Sequence, residues 1–391
     1  MKKEDVVSLI LYMLILAVSV IYGLGVLQPH FEYSGFTSGI LYALYILGSV
    51  LASVLVCAVL LEIGHVIGAK IGKYQIIYVC VLHFMFYKKE EKLKFKFSNF
   101  DGLTGETKIL PKDEKSNPHA YLIMGTLFIA LFTAAAFILF YLFKDYTGSK
   151  GDWGYFFLTM GVVSIICIIY NVLPFKLDSI NDGYRMSMVS NPKNTEAFNE
   201  LLRVEYELSQ GNKDVEIKTF TELTNFTASL NMNKLYIALD KGDYEEALEL
   251  VEIVLKNEAT VSRKVYLRAF CMKIFLLYLL KGQETGDKFA LENVSLELKK
   301  EILADKRSLA SIRAYILIEG LSDGSKSECM LAIANVNGAY KATPKIRRDM
   351  EASLYNKVID MVHEVHPKWN LNEYKLLAEA PEENKEEKSS E

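Results

Sequence analysis

Leu61-Glu62-Ile63-Gly64-His65-Val66-Ile67-Gly68-Ala69-Lys70 closes an apolar run that begins at Ser38 and holds no charged residue before Glu62. A bilayer core about 30 Å thick takes about 20 helical residues to cross, so Ser38–Leu61 reads as a spanning helix. A carboxylate and an imidazole at the mouth of such a helix are costly to bury, and ionisable groups kept there mark a site. The plainer reading is that both side chains snorkel to water and do nothing further.

Three other stretches have the length and character of spans: Val6–Leu27, Ala120–Phe143 and Tyr155–Leu173. Lys2 and Lys3 give the first the look of a signal peptide, but its apolar core exceeds the usual length of about 7–15 residues, so it reads as an anchor. Basic residues in the short loops set the orientation. Lys2, Lys3, the lysines between Lys70 and Lys115, Lys176 and Arg185 fall on one side, against Lys144 and Lys150 on the other. The positive side is cytoplasmic, which puts both termini there. The lysine-rich segment Tyr74–Leu110 alternates in Lys92-Leu93-Lys94-Phe95-Lys96-Phe97, a period of two that predicts a small β-hairpin or sheet near the cytoplasmic membrane surface.

Composition agrees with a chain of two halves. Of 44 Lys/Arg and 48 Asp/Glu, residues 1–190 hold 16 and 14, and all four apolar runs fall there. A net charge of −4 gives no reason to expect a nucleic-acid partner. The five cysteines are scattered and contain no C-x-x-C pair, which argues against a disulfide framework and against a cysteine zinc site. With 51% hydrophobic residues, a fully soluble enzyme, a secreted mini-protein and a disordered chain are excluded.

Glu62 and His65 are spaced as the last two polar positions of H-E-x-x-H, in which two imidazoles one helical turn apart hold zinc and the glutamate polarises its water. Leu61 stands at the first position and has no lone pair to donate. Beyond the last apolar run come Asn171-Val172-Leu173-Pro174 and then Asp182-Gly183. In these two segments, over Ser38 to Met188, the chain resembles the site-2 protease family of intramembrane zinc metallopeptidases, which pairs H-E-x-x-H on one core helix with N-x-x-P…D-G on another. The resemblance implies a membrane helix bundle in which His65 and Asp182 are metal ligands, Glu62 is the general base, and Asn171 and Pro174 hold substrate backbone.

A catalytic zinc usually takes three protein ligands and an open water position, and only two of these are accounted for. The resemblance with Leu61 therefore implies a catalytically impaired homologue, a pseudoprotease without zinc. The alternative is an active zinc endopeptidase with a non-standard third ligand; His83 and His119 are the histidines that a loop or strand brings nearest. Taken singly, Asp182 also reads as turn chemistry, and His30, His83 and His119 as surface or packing residues. His363-Glu364-Val365-His366 has its histidines three apart rather than four, before Pro367, and is set aside as a metal site. Gly23-Leu24-Gly25 follows no strand and reads as tight helix packing. A transporter is disfavoured because the four spans show no repeated half.

From Asn191 onward amphipathic stretches alternate with polar breaks at Gln210-Gly211-Asn212, Lys241-Gly242-Asp243, Lys281-Gly282, Ser322-Asp323-Gly324 and Thr343-Pro344. This predicts an all-α region, with Thr195 as N-cap of a helix over 196–208. Leu235–Leu248, with its Gly-Asp-Tyr turn and Ala247, resembles the turn and second helix of a tetratricopeptide repeat; an ordinary helical hairpin has the same letters. The resulting organisation is a membrane peptidase-like domain (1–190), a cytoplasmic helical-repeat domain (191–380) and a disordered polar tail (381–391). Partners expected on this reading are a membrane protein or peptide in the bilayer and a cytoplasmic protein on the concave face of the repeats.

Overall fold

The computed structural model describes residues 13, 17–29, 39–89, 92–97, 105–146, 149–174, 181–256, 258 and 261–377. The fold is 75% helical and divides into two compact units, Met1–Arg203 and Val204–Glu391. The tail 381–391 lies outside the described residues.

The first unit contains helices α1 (Ala17–Leu27), α2 (Gly39–Ile71), α3 (Pro118–Phe143), α4 (Ser149–Val172) and α5 (Asp182–Val189). Three of its helices are long and apolar enough to cross a membrane, over Ile40–Ile71, Pro118–Phe143 and Asp152–Val172. The expected span Val6–Leu27 lies partly outside the described residues, and its described end is the short apolar α1. Burial along α2 is inverted relative to a water-soluble bundle: Leu44, Leu47, Leu51 and Leu55 are exposed, whereas Ser49, Ser53, Cys57, Glu62 and His65 are buried. A hydrocarbon solvent imposes this arrangement, with apolar groups outward and polar ones turned to protein. The buried hydroxyls close on their own helices, Ser53 donating to the Ser49 carbonyl and Ser164 to that of Met160.

The helix that holds Glu62 and His65 runs on past Lys70 to Ile71, as its motif requires, and the next residue is Gly72. One sequence expectation needs correction here. Among the described residues nothing lies within 4 Å of where a Cβ would stand on Gly23 or Gly25, so no close helix packing is seen at either; the segment Gly23–Leu27 is a π-helical turn whose Gly23 carbonyl accepts from the Tyr42 hydroxyl. The close packing lies between α2 and α3. A Cβ at Gly64 would fall 2.5 Å from the Gly125 backbone, and one at Gly68 would fall 2.3 Å from the Ala120 carbonyl. Small residues at these positions let the two backbones touch.

Between α2 and α3 the chain forms β1 (Tyr74–Val81), β2 (Phe84–Lys89), β3 (Lys92–Phe97) and β4 (Gly105–Pro111). They make one antiparallel sheet in the order β3-β2-β1-β4. β1 leaves the end of α2 at Tyr74 and runs back beside it. Its last residues, Cys80 and Val81, pair with Glu106 and Gly105. Gly105 in turn lies against Glu62, where a Cβ would come 2.8 Å from its Cγ.

Helix α6 (Pro192–Ser209) begins before the expected N-cap. Pro192 suits a first helical position, and the Asn191 side chain accepts from the Lys193 amide at 3.1 Å. Thr195 therefore sits inside the helix, its hydroxyl donating to the Val189 carbonyl.

The second unit is helical: α7 (Asn225–Lys241), α8 (Tyr244–Leu255), α9 (Arg263–Lys281), α10 (Gln283–Asn293), α11 (Leu296–Ala304), α12 (Leu309–Leu317), α13 (Lys326–Ile333), α14 (Val336–Ala342) and α15 (Lys345–Val365). All five expected breaks fall between helices. Gly242 has φ 79°, a left-handed value that glycine adopts without strain, and Asp243 caps α8 by accepting from the Glu246 amide. Ala247 is fully buried, so α7 and α8 approach closely. Every residue of α12 is buried, including Arg313, which pairs with Glu351 of α15 and lies over the Phe275 ring. His366 does not look toward a metal: its Nε2 donates to the Gly320 carbonyl and its ring stacks on Trp369.

The α2–α3 contact is intolerant of added volume, whereas α1 is not. Gly64→Val is expected to destabilise the detergent-solubilised chain by at least about 2 kcal/mol, and Gly23→Ala to change stability by less than about 0.5 kcal/mol, as read by thermal unfolding.

Candidate functional site

The site is assembled by three elements meeting at the α2–α3 crossing. α2 supplies Glu62 and His65, which lie on one helical face. The strand β4 covers Glu62, and α5 brings Asp182. All three side chains are buried, with residue exposures of 2% for Glu62, 4% for His65 and 9% for Asp182.

His65 is held on both ring nitrogens. Its Nδ1 lies 2.8 Å from the Tyr121 carbonyl, which can only accept, so Nδ1 carries a proton. Nε2 faces Asp182 Oδ2 at 3.2 Å. With the Asp182 carboxyl ionised, that contact is a hydrogen bond when Nε2 is protonated as well, an arrangement of imidazolium and carboxylate. The ring also rests against Tyr121, with centroids 4.8 Å apart. Glu62 is fixed separately: the Thr107 hydroxyl of β4 donates to Glu62 Oε2 at 2.5 Å, and Tyr121 donates to the Thr107 carbonyl.

Asp182 is the first residue of α5, and its position depends on its neighbours. Asn181 caps α5 by accepting from the Tyr184 amide, while its own amide donates to the Tyr170 and Leu173 carbonyls, both at 2.6 Å. One side chain thus ties the end of α4 to the start of α5. Gly183 lies so close that a Cβ would fall 2.1 Å from the Val172 carbonyl, which gives the Asp-Gly pair its steric reason. Asn171 donates to Thr126 of α3 at 2.7 Å. Burial alone would raise the Asp182 pKa, but the hydrogen bond and charge of His65, with Arg185 and Asn171, outweigh it and hold the carboxyl below its usual value. Arg185 stands 3.8 Å from Asp182 Oδ1.

Of the residues singled out from sequence, Glu62, His65, Asp182 and Asn171 are brought together. Pro174 is exposed just beyond the end of α4. Sequence reasoning missed Thr107, Tyr121, Thr126, Asn181 and the contact of Arg185. Of these only Asn181 carried a signal, being a good N-cap type directly before Asp-Gly.

The described residues do not make up the donor set of a catalytic zinc. His65 and Asp182 would fit as two ligands, since a carbonyl-bound Nδ1–H directs Nε2 to a metal. Leu61 lies one turn before His65 and is packed into the crossing, its Cδ1 only 2.7 Å from where a Cβ on Gly125 would stand. His83 has φ 73° in the β1–β2 turn and stacks on Phe97, and His119 is engaged by Asn117 at the start of α3. Among the described residues no group of three or more His, Cys, Asp or Glu is arranged to hold a metal ion.

No protein-family model, curated protein or solved structure matches the chain. The resemblance therefore rests on the residues quoted above.

Asn181→Ala removes a cap and two bonds to the end of α4. The expected result is a loss of about 1–2 kcal/mol, with faster amide exchange confined to Tyr170–Leu173 and Asp182–Arg185. Hydrogen exchange by mass spectrometry on the full chain reads both; uniform exchange changes would contradict the assignment.

Proposed function

We propose that this chain is a site-2-protease-like membrane protein that has lost zinc hydrolysis and keeps the region around His65 and Asp182 as a binding site for a membrane peptide or helix. One observation carries the reading: Leu61 fills the α2–α3 crossing where a third donor would stand, while His65 and Asp182 satisfy each other across 3.2 Å. A buried carboxylate and imidazole paired in this way need no metal to offset their burial. Asn171, Thr126 and the end of α4 would still offer hydrogen-bonding groups to the backbone of an unwound segment, which needs them inside a bilayer.

On this reading both termini are cytoplasmic, following the lysine bias of the loops. The helical C-terminal region, with its α7–α8 hairpin and buried Ala247, would recruit a cytoplasmic protein in the manner of a tetratricopeptide-like repeat. Glu62, held by Thr107 and with no zinc-bound water to activate, is a structural carboxylate rather than a general base.

Metal content of the purified full chain tests the proposal. Native protein is expected to hold less than about 0.1 zinc per chain after dialysis against zinc, and Leu61→His to approach one, because the substitution completes a three-ligand set. A photo-crosslinker at Thr126 is expected to trap a membrane peptide whose length is the same with native Glu62 and with Glu62→Gln. Stoichiometric zinc in the native chain, or a peptide shortened only when Glu62 is present, would establish the active-endopeptidase alternative instead.

A further inference from the structure

The β2–β3 hairpin carries two unlike faces. Antiparallel register pairs Phe84 with Phe97, Phe86 with Phe95 and Lys88 with Leu93 on one face, and Met85 with Lys96, Tyr87 with Lys94 and Lys89 with Lys92 on the other. The first face is uncovered. Leu93, Phe95 and Phe97 are 72%, 71% and 70% exposed, and Phe84 and Phe86 are 50% and 41% exposed. Five large apolar side chains side by side on one unpartnered face form a contiguous patch of the kind that marks an interaction surface. The second face carries a row of lysines, with Lys96 over the Tyr87 ring.

The backbone says what lies next to this patch. β1 starts at the end of α2 and runs back along it until Cys80 and Val81 reach the level of Glu62, nine residues before the helix ends. At 1.5 Å per residue that is a return of about 13 Å toward the middle of the span. Val81 pairs with Phe84, and Phe84 with Phe97, so these aromatic residues sit at the deep end of the sheet. Lys88, Lys89 and Lys92 sit at the opposite, outer end. On the apolar face the order from deep to outer is therefore aromatic at Phe84–Phe97 and Phe86–Phe95, then mixed at Lys88–Leu93, while on the other face Lys96 already stands one pair from the deep end. The apolar-face order follows that of a bilayer leaflet, with acyl chains first and phosphate headgroups above them.

From this we infer that the β2–β3 hairpin docks into the surface of an anionic bilayer. Phe84, Phe86, Leu93, Phe95 and Phe97 enter the acyl boundary. Lys92, Lys94 and Lys96 extend along their own stems to the phosphates of acidic lipids. Charge selects the occupant: five lysines in Phe84–Phe97 against Glu90 and Glu91 favour a negative surface over a neutral one. The inference depends on the three membrane-length helices and not on the peptidase resemblance, so its failure leaves the zinc result untouched.

The test uses the full chain in liposomes of phosphatidylglycerol or phosphatidylcholine, with brominated acyl chains as a contact quencher. Phe95→Trp reports the apolar face and Tyr87→Trp the lysine face, each as the difference from the native chain with its Trp153 and Trp369. Phe97→Trp is a second reporter should Phe95→Trp misfold. In phosphatidylglycerol the apolar-face reporter is expected to be quenched at least about twofold more than Tyr87→Trp. Adding Lys92→Gln, Lys94→Gln and Lys96→Gln should cut that quenching at least about twofold, with no change in phosphatidylcholine. Equal quenching of the two faces, or quenching indifferent to headgroup and lysines, would overturn the inference. So would a reporter shielded from aqueous iodide yet unquenched by lipid, which would mean that protein covers the face.

Discussion

The first unit depends on one close approach, the crossing of α2 and α3 at Gly64, Gly68 and Gly125, where backbone meets backbone without side chains between. That contact puts the Tyr121 carbonyl within hydrogen-bonding distance of His65 Nδ1 and so fixes which ring nitrogen faces Asp182. It also brings Tyr121 under β4, whose Thr107 holds Glu62. A wider crossing would separate all three polar residues from their partners and leave charges buried in an apolar surround, where unpaired groups are most costly.

Much of the fold was legible because it follows from solvent and period. Three apolar runs of membrane length became three long helices, the alternation at Lys92–Phe97 became a strand, and the glycine and proline breaks after Asn191 became the gaps between helices. Glu62 and His65 stay inside α2 because groups from β4, α3 and α5 satisfy them there. What failed did so for local reasons. The N-cap at Thr195 was misplaced because Pro192 is compatible with a first helical position. Gly23-Leu24-Gly25 has the letters of a packing motif, but among the described residues nothing lies where a Cβ would stand at either glycine, and the contact made there is the Tyr42 hydroxyl on the Gly23 carbonyl.

The site was legible in part. Glu62, His65, Asn171 and Asp182 stand out in sequence as polar groups in or beside apolar runs, and they come together. Thr107, Tyr121 and Thr126 do not stand out, since a threonine in a strand and a tyrosine in a helix are ordinary residues until a distant element arrives against them. Leu61 is the reverse case. Its chemistry was plain from the sequence, but its packing at Gly125 is a property of the crossing and turns an absent ligand into an occupied volume.

The central claim is that His65 and Asp182 are bonded to each other and share no metal. Nitrogen NMR of the histidine rings tests this most directly, using the full chain in nanodiscs with ¹⁵N-histidine and the His65 signals assigned by their loss in His65→Gln. The account predicts that both His65 nitrogens are protonated, that Asp182→Asn shifts Nε2, and that chelator changes neither. An Nε2 signal that moves when chelator is added and returns with zinc would contradict it.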